Sequence, residues 1–261
     1  MKKYIIYAYR WFIAIGIDFK IMFFALKSIP EFFFDLYKFK KLSNGMFHFD
    51  RLYPCLSDRY DQSGVANGHY FHQDLLVAKK IYRSNPLRHI DIGSRVDGFV
   101  AHVATYRPID VIDIRPLSVN IENINFIKMD LMCDIKEADI EICDSISCLH
   151  ALEHFGLGRY GDPINFNGHI IGLNNISKLL KKGGKFYLSV PIGVNRIEFN
   201  AHRVFSMTYL LPILLEKFEL YNFSYVNDFG VLVENSEINE INIEENYQCK
   251  YGCGIFELVK K

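Results

Sequence analysis

From residue 89 onward the chain alternates short apolar runs with stretches in which apolar positions return at helical spacing. The short runs suit strands, and the longer period suits helices that cover a sheet. Strands are predicted at 89–93, 111–114, 125–129, 144–149, 185–190, 220–226 and 254–259, and helices at 73–82, 98–105, 168–180 and 206–216. Lys181-Lys182-Gly183-Gly184 puts cations and then glycine behind the third helix, which is a C-terminal stop. Alternating strands and helices predict a mostly parallel α/β sheet, and the last two runs, joined without a convincing helix, predict an antiparallel closing strand.

Ahead of this pattern, residues 1–50 read as a helical arm and 51–261 as one domain. The stretch 4–41 is the most aromatic part of the chain, with Trp11, Phe12, Phe23, Phe24, Phe32, Phe33 and Phe34. Wound at about 100° per residue, the charges from Lys2 to Lys38 (Lys2, Lys3, Arg10, Asp18, Lys20, Lys27, Glu31, Asp35, Lys38) fall on one half of the circumference and leave an apolar half. That half must meet the protein's own domain, a second copy in a homodimer, or the headgroup plane of a membrane. Pro30 is expected to kink or split the helix. The charges at Arg10, Asp18, Lys20 and Lys27 interrupt any run of the roughly 20 apolar residues that a spanning helix needs. No secretory signal is recognisable either, so a cytoplasmic protein with a membrane-associating arm is expected.

Composition adds exclusions. Lysine plus arginine and aspartate plus glutamate balance at 30 each, so no net field draws the protein to nucleic acid. Six cysteines in 261 residues, several within apolar runs, read as buried thiols rather than a disulfide scaffold. Cys249 and Cys253 lack a matching second pair, and no metal site is expected from them. A metal held by His69 and His72 is the weaker reading beside hydrogen bonding or stacking.

Candidate chemistry clusters at strand ends, where open α/β sheets bind ligands. The first is Asp91-Ile92-Gly93-Ser94-Arg95-Val96-Asp97-Gly98, whose glycines let backbone approach a ligand. It resembles the glycine loop that holds the methionine part of S-adenosylmethionine in class I methyltransferases, except that Arg95 replaces the middle glycine and Gly98 comes one residue late. Asp113, about twenty residues on, is placed to accept two hydrogen bonds from a ribose diol. Asp130 follows the third strand and resembles the residue that contacts adenine. The fourth strand ends in His150-Ala151-Leu152-Glu153-His154, similar to a common ending in small class I methyltransferases. The same letters spell the H-x-x-E-H of a zinc-peptidase family, which would need both histidines on one helix.

Longer phrases resemble the family catalogued as domain of unknown function 268: 53–60, 68–75, 91–100, 147–163 and 199–206. The resemblance spans nearly the whole chain and implies a Rossmann-like methyltransferase fold with S-adenosylmethionine as cofactor. Members accompany bacterial surface-glycan genes, which implies a sugar or lipid-linked glycan acceptor. The expected cofactor residues are Asp91, Gly93, Ser94, Arg95, Gly98, Asp113, Asp130 and His150. His154 and His202 lead as bases for the acceptor, followed by Asp162 and Glu153. Arg159 and Arg203 are candidates to grip an acceptor phosphate or carboxylate. His69, Tyr70, His72 and Gln73, ahead of the first strand, are candidates to close over the ligand. Two rivals stand beside an enzyme of this kind: a catalytically silent binding module in glycan assembly, supported by Arg95, and a zinc hydrolase using His150, Glu153 and His154.

Overall fold

The computed structural model describes residues 2–61, 63, 64 and 66–261, with the side chains of residues 2–5, Lys2 and Lys3 among them, outside the description. The chain forms two compact units, Met1–Val65 and Ala66–Lys261.

The first unit carries α1 (Lys2–Ala14) and α2 (Phe19–Leu42). The break falls at Gly16, φ +90°, and at Asp18, whose carboxylate accepts from the backbone N–H groups of Lys20 and Ile21 to cap α2. Pro30, expected to kink or split the helix, lies inside α2 and does not split it. A glycine in the left-handed region followed by a capping acid is a stronger stop than one missing N–H in a long helix. Trp11, Phe23, Phe33, Phe34 and Phe39 are exposed, and no helix among the described residues is long and apolar enough to cross a membrane.

The second unit follows the order α3 (Gly68–Ser84), β1 (His89–Ile92), α4 (Ala101–Ala104), β2 (Ile109–Asp113), β3 (Ile124–Lys128), β4 (Cys143–Leu149), α5 (Gly168–Leu179), β5 (Leu180–Ile192), β6 (Arg196–Glu198), β7 (His202–Val204), α6 (Met207–Lys217), β8 (Phe218–Val226), β9 (Leu232–Val233), α7 (Glu240–Glu244) and β10 (Gly252–Lys260). Eight strands make one sheet in the order β3-β2-β1-β4-β5-β10-β8-β9, while β6 and β7 form a separate hairpin. Strands β1 to β5 pair in parallel, and β10 inserts antiparallel between β5 and β8. This is a Rossmann-like sheet closed by an antiparallel C-terminal strand.

Each face is covered, so β1 and the later parts of β4 and β5 are buried and read as near-continuous apolar runs. One core joins Leu76, Val77 and Ile81 of α3 to Phe99, Val100 and Val103. The other packs Ile176 of α5 and Leu210 and Leu214 of α6 on Ile146, Phe186 and Leu188. Two expected elements differ. The helix at 98–105 reduces to an irregular turn at Val96–Val100 followed by the single turn of α4, because Gly98 takes φ −124°, ψ −117°. The stop after α5 comes at Leu179, but Leu180 already pairs with Cys143, so β5 starts before the two lysines and takes in Gly183 at φ +76°.

Candidate functional site

The sheet order reverses between β1 and β4, and a ligand crevice opens at such a switch point beyond the carboxyl ends of the strands. Two adjoining hollows occupy it, sharing Gly93, Arg115, His150, His154 and Tyr160. The first lies between Ile92, Ile114, Met129 and Phe155 and carries Asp113 and Asp130. Its apolar walls with a few polar groups have the make-up of a small-molecule site. The second is walled by Tyr70, Gln73, Asp74, Ser94, Arg95 and Arg159.

Gly93 turns the chain out of β1 with φ +72°, and a Cβ there would meet the Cβ of Ala151 at 2.9 Å. Both conditions demand glycine. Beneath it, Asp91 is fully buried and accepts from the Ser94 N–H (3.0 Å), the Ser94 hydroxyl (2.9 Å) and the Ser147 hydroxyl (2.6 Å). Asp91 therefore holds the glycine loop in shape from below and is not on the cleft wall. Arg95 adopts φ −69°, ψ 135°, which any residue can adopt, and its side chain turns outward to a bidentate pair with Asp97 (2.9 and 2.6 Å). An arginine in place of the middle glycine consequently leaves the loop backbone intact.

Burial raises the Asp91 carboxyl to about 7, against the lowering effect of the Ser147 and Ser94 hydrogen bonds. Its unfolded value lies near 3.8, so between the two the folded protein keeps a proton that the unfolded chain has released. Stability held below pH 4 is therefore lost as pH rises toward 7, by on the order of 4 kcal/mol. Asp91→Asn mimics the protonated group. Urea unfolding should show the variant gaining on the parent between pH 4 and 8, and an identical pH slope for both proteins would refute the assignment.

Asp113 and Asp130 both reach the first hollow. Arg115 already grips Asp113 through Nε (3.0 Å) and Nη2 (2.6 Å) and lies over the Tyr160 ring at 4.3 Å. Asp130 accepts from the Met132 N–H at 2.8 Å. Arg115 and Tyr160 were not among the residues singled out from sequence, where their only signal is their place just after a strand end and in a glycine-rich stretch.

At the end of β4, His150 takes φ +50°, and its N–H bonds to the Ser189 carbonyl (3.0 Å) and hydroxyl (3.1 Å). Its Nδ1 lies 2.7 Å from Glu153 Oε1, with both side chains almost wholly buried. Burial disfavours charge on both, yet Cys253 and Glu153 hold the His150 pKa well above its ordinary range, and the His150 charge holds Glu153 below its own. Only a single 3₁₀ turn, Leu152–His154, follows. His150 and His154 thus do not share a helix face, which corrects the zinc-peptidase reading.

His154 faces both hollows. Its Nδ1 lies 2.6 Å from the Ala201 carbonyl, which only accepts, so Nδ1 carries the hydrogen and Nε2 the lone pair. Burial lowers its pKa despite Glu153 Oε1 at 3.8 Å from Nε2. A neutral imidazole with its basic nitrogen free is the arrangement of a general base.

The remaining candidates divide. Tyr70, Gln73 and Arg159 border the second hollow, joined by Asp74, which the sequence reading passed over. Gln73 accepts from the Ser189 hydroxyl (2.6 Å), and Arg159 donates to the Ala201 carbonyl (3.0 Å). Gly98 lies at the rim, and a Cβ there would meet Asp74 Oδ2 at 3.4 Å. Asp162 touches the first hollow, but its carboxylate accepts from the N–H groups of Gly156, Gly158 and Tyr160 and so fastens the glycine-rich loop. Arg203 lies away from both hollows, buried, donating to the carbonyls of Glu153, Phe155, Asn165 and Phe166. It is a loop clamp in this fold, not an open anion grip. His202 lies tilted against the Tyr251 ring with Nε2 buried and 3.8 Å from Glu198, and His72 packs edge-on to Phe71; neither borders the hollows. His69 stacks in parallel on His150, with ring centres 5.1 Å apart.

The family model described as "Caenorhabditis protein of unknown function, DUF268" matches residues 116–251. No curated protein matches the chain. Among solved structures, the Burkholderia thailandensis 1,6-didemethyltoxoflavin-N1-methyltransferase, with bound 1,6-didemethyltoxoflavin and S-adenosylhomocysteine, is similar over 72% of this chain and 78% of its own, at 13% identity and a TM-score of 0.51. The [4+2]-cyclase SpnF is similar over 76% of this chain and 88% of its own, at 14% identity and a TM-score of 0.51. At such identities the likeness shows the fold.

Proposed function

The chain belongs to the DUF268 family, and from that premise and the cleft geometry we propose that it is an S-adenosylmethionine-dependent methyltransferase acting on a hydroxyl of a sugar-type or surface-glycan acceptor. The observation that carries this reading is the pair Asp113 and Asp130, at the ends of adjacent strands, facing one apolar hollow behind the Gly93 turn. The residues fit the cofactor: Asp113 would hold the ribose hydroxyls, Asp130 and the Met132 N–H region the adenine edge, and the Gly93–Ser94 backbone the methionine end. S-adenosylmethionine, when bound, supplies an electrophilic methyl whose departing thioether is neutral. His154 Nε2 takes the proton of the acceptor hydroxyl as the new C–O bond forms. Tyr70 and Arg159 orient the acceptor in the second hollow.

Calorimetric titration with S-adenosylmethionine and S-adenosylhomocysteine tests the cofactor site. Micromolar binding is expected, weakened on the order of 10²-fold in Asp113→Ala, since two charge-assisted hydrogen bonds are worth about 1.5 kcal/mol each. Folded protein that binds neither compound would favour a second reading, a silent binding module, for which the closed Arg115 grip on Asp113 speaks.

The exposed aromatic side chains of α1 and α2 suit an interfacial membrane contact that brings the enzyme to a lipid-linked acceptor. The full chain should sediment with anionic vesicles, and deletion of residues 1–41 should release it; a full chain left in the supernatant would favour a homodimer through the arm.

A further inference from the structure

The C-x-x-x-C of Cys249 and Cys253 has no second pair along the chain, yet folding carries Cys253 to two histidines from distant segments. His69 stands in the first turn of α3, His150 follows β4 and Cys253 opens β10. One ligand atom from each lies within 4.8 Å of the others. A second observation concerns His150. Glu153 occupies its Nδ1, so Nε2 is the nitrogen it can offer, and that atom is buried without a hydrogen-bond partner. Cys253, itself fully buried, supplies the sulfur of this cluster.

We propose that His69, His150 and Cys253 form a zinc-binding site, with Glu153 as the outer partner that orients His150. Imidazole nitrogen and thiolate sulfur are the donors this borderline-soft ion prefers, and three protein ligands leave a fourth position for water or a ligand. Ligating histidines pass their second N–H to a carboxylate or a carbonyl. His150 has Glu153 in that role, at 2.7 Å. Charge balances as well: the Cys253 thiolate and the Glu153 carboxylate together match the two positive charges of the ion, as a buried cation requires. Zinc takes the place of the Cys253 thiol proton, which leaves to solvent, and forms the S–Zn bond.

The ligand set differs from the H-x-x-E-H pair, since the His154 Nδ1 is engaged with Ala201. Tetrahedral bonds of about 2.0–2.3 Å place ligand atoms about 3.3–3.6 Å apart, so the cluster must close by about 1 Å. His69, the least buried of the three, supplies the movement by turning its ring out of the parallel stack on His150.

The site does not rest on the methyl-transfer reading, and cofactor titration of the same protein reports on that reading separately. The test is metal analysis of the full chain after chelator treatment and reloading with zinc or cobalt(II). One zinc per chain is expected, with a thiolate-to-cobalt charge-transfer band in the cobalt form. Cys253→Ser should abolish the band and weaken zinc by more than about 10²-fold, beyond the 10–100-fold that loss of an outer partner costs. His69→Gln, at a half-buried position, should weaken zinc while preserving the circular dichroism of the parent. A Cys55→Ser, Cys133→Ser double variant, which removes the exposed thiols, should change neither. Folded protein that binds no zinc at micromolar concentration, or binding that survives both Cys253→Ser and His69→Gln, would overturn the proposal.

Discussion

Replacing Glu153 by alanine is expected to destabilise the metal-free protein by about 3–5 kcal/mol, the cost of leaving one member of a buried ion pair without its partner. Glu153 and His150 are nearly inaccessible, and the carboxylate is the only hydrogen-bond partner of the His150 ring among the described residues. The sign of the pH dependence follows from both members. Glu153 titrates below 4.5 in the fold, so its contribution is present above that value and disappears as pH falls through the folded value. His150 titrates well above 6.5, so its contribution is present below 6.5 and disappears as pH rises through the folded value. The parent should therefore exceed Glu153→Ala by most between about pH 4.5 and 6.5. Urea unfolding of chelator-treated protein at several pH values checks this, and a difference below about 1 kcal/mol in that window would mean that the pair is not formed.

His154→Gln is expected to lower turnover on the order of 10²–10⁴-fold, the range that a positioned general base supplies. Glutamine keeps a donor for the Ala201 carbonyl and removes the basic Nε2, so S-adenosylmethionine affinity should stay close to that of the parent. Formation of S-adenosylhomocysteine in the presence of a surface-glycan acceptor extract measures it. Burial lowers the His154 pKa, so the base is free at neutral pH and parent activity should stay level there, falling only as pH drops below 6.5 and on through the depressed value. Unchanged turnover in the variant would remove His154 from the chemistry. Equal loss of turnover and cofactor binding would make it part of the cleft wall.

Much of the site was legible because the constraints are local. A glycine that must turn the chain at φ +72° and an acid that follows a strand are written within a few residues, as Gly93, Asp113 and Asp130 show. Pro30 does not split α2, because its local penalty is weaker than the paired signal of Gly16 and Asp18 one helix earlier. Arg203 and Asp162 carry the residue types of binding and catalysis, and nothing nearby in sequence says which partners they meet. Arg203 meets four loop carbonyls and Asp162 three loop amides.

By itself the sequence determined the alternation of strands and helices, the antiparallel final strand and the acids along one sheet edge, since periodicity and strand termini are properties of neighbouring residues. Only the tertiary structure decided that Asp91 works beneath the loop, that Arg115 closes on Asp113, and that Cys253 meets His69 and His150. Those outcomes depend on which strands lie side by side and where each side chain points. Such long-range pairing is set by the packing of the whole core and leaves no periodic trace in the chain.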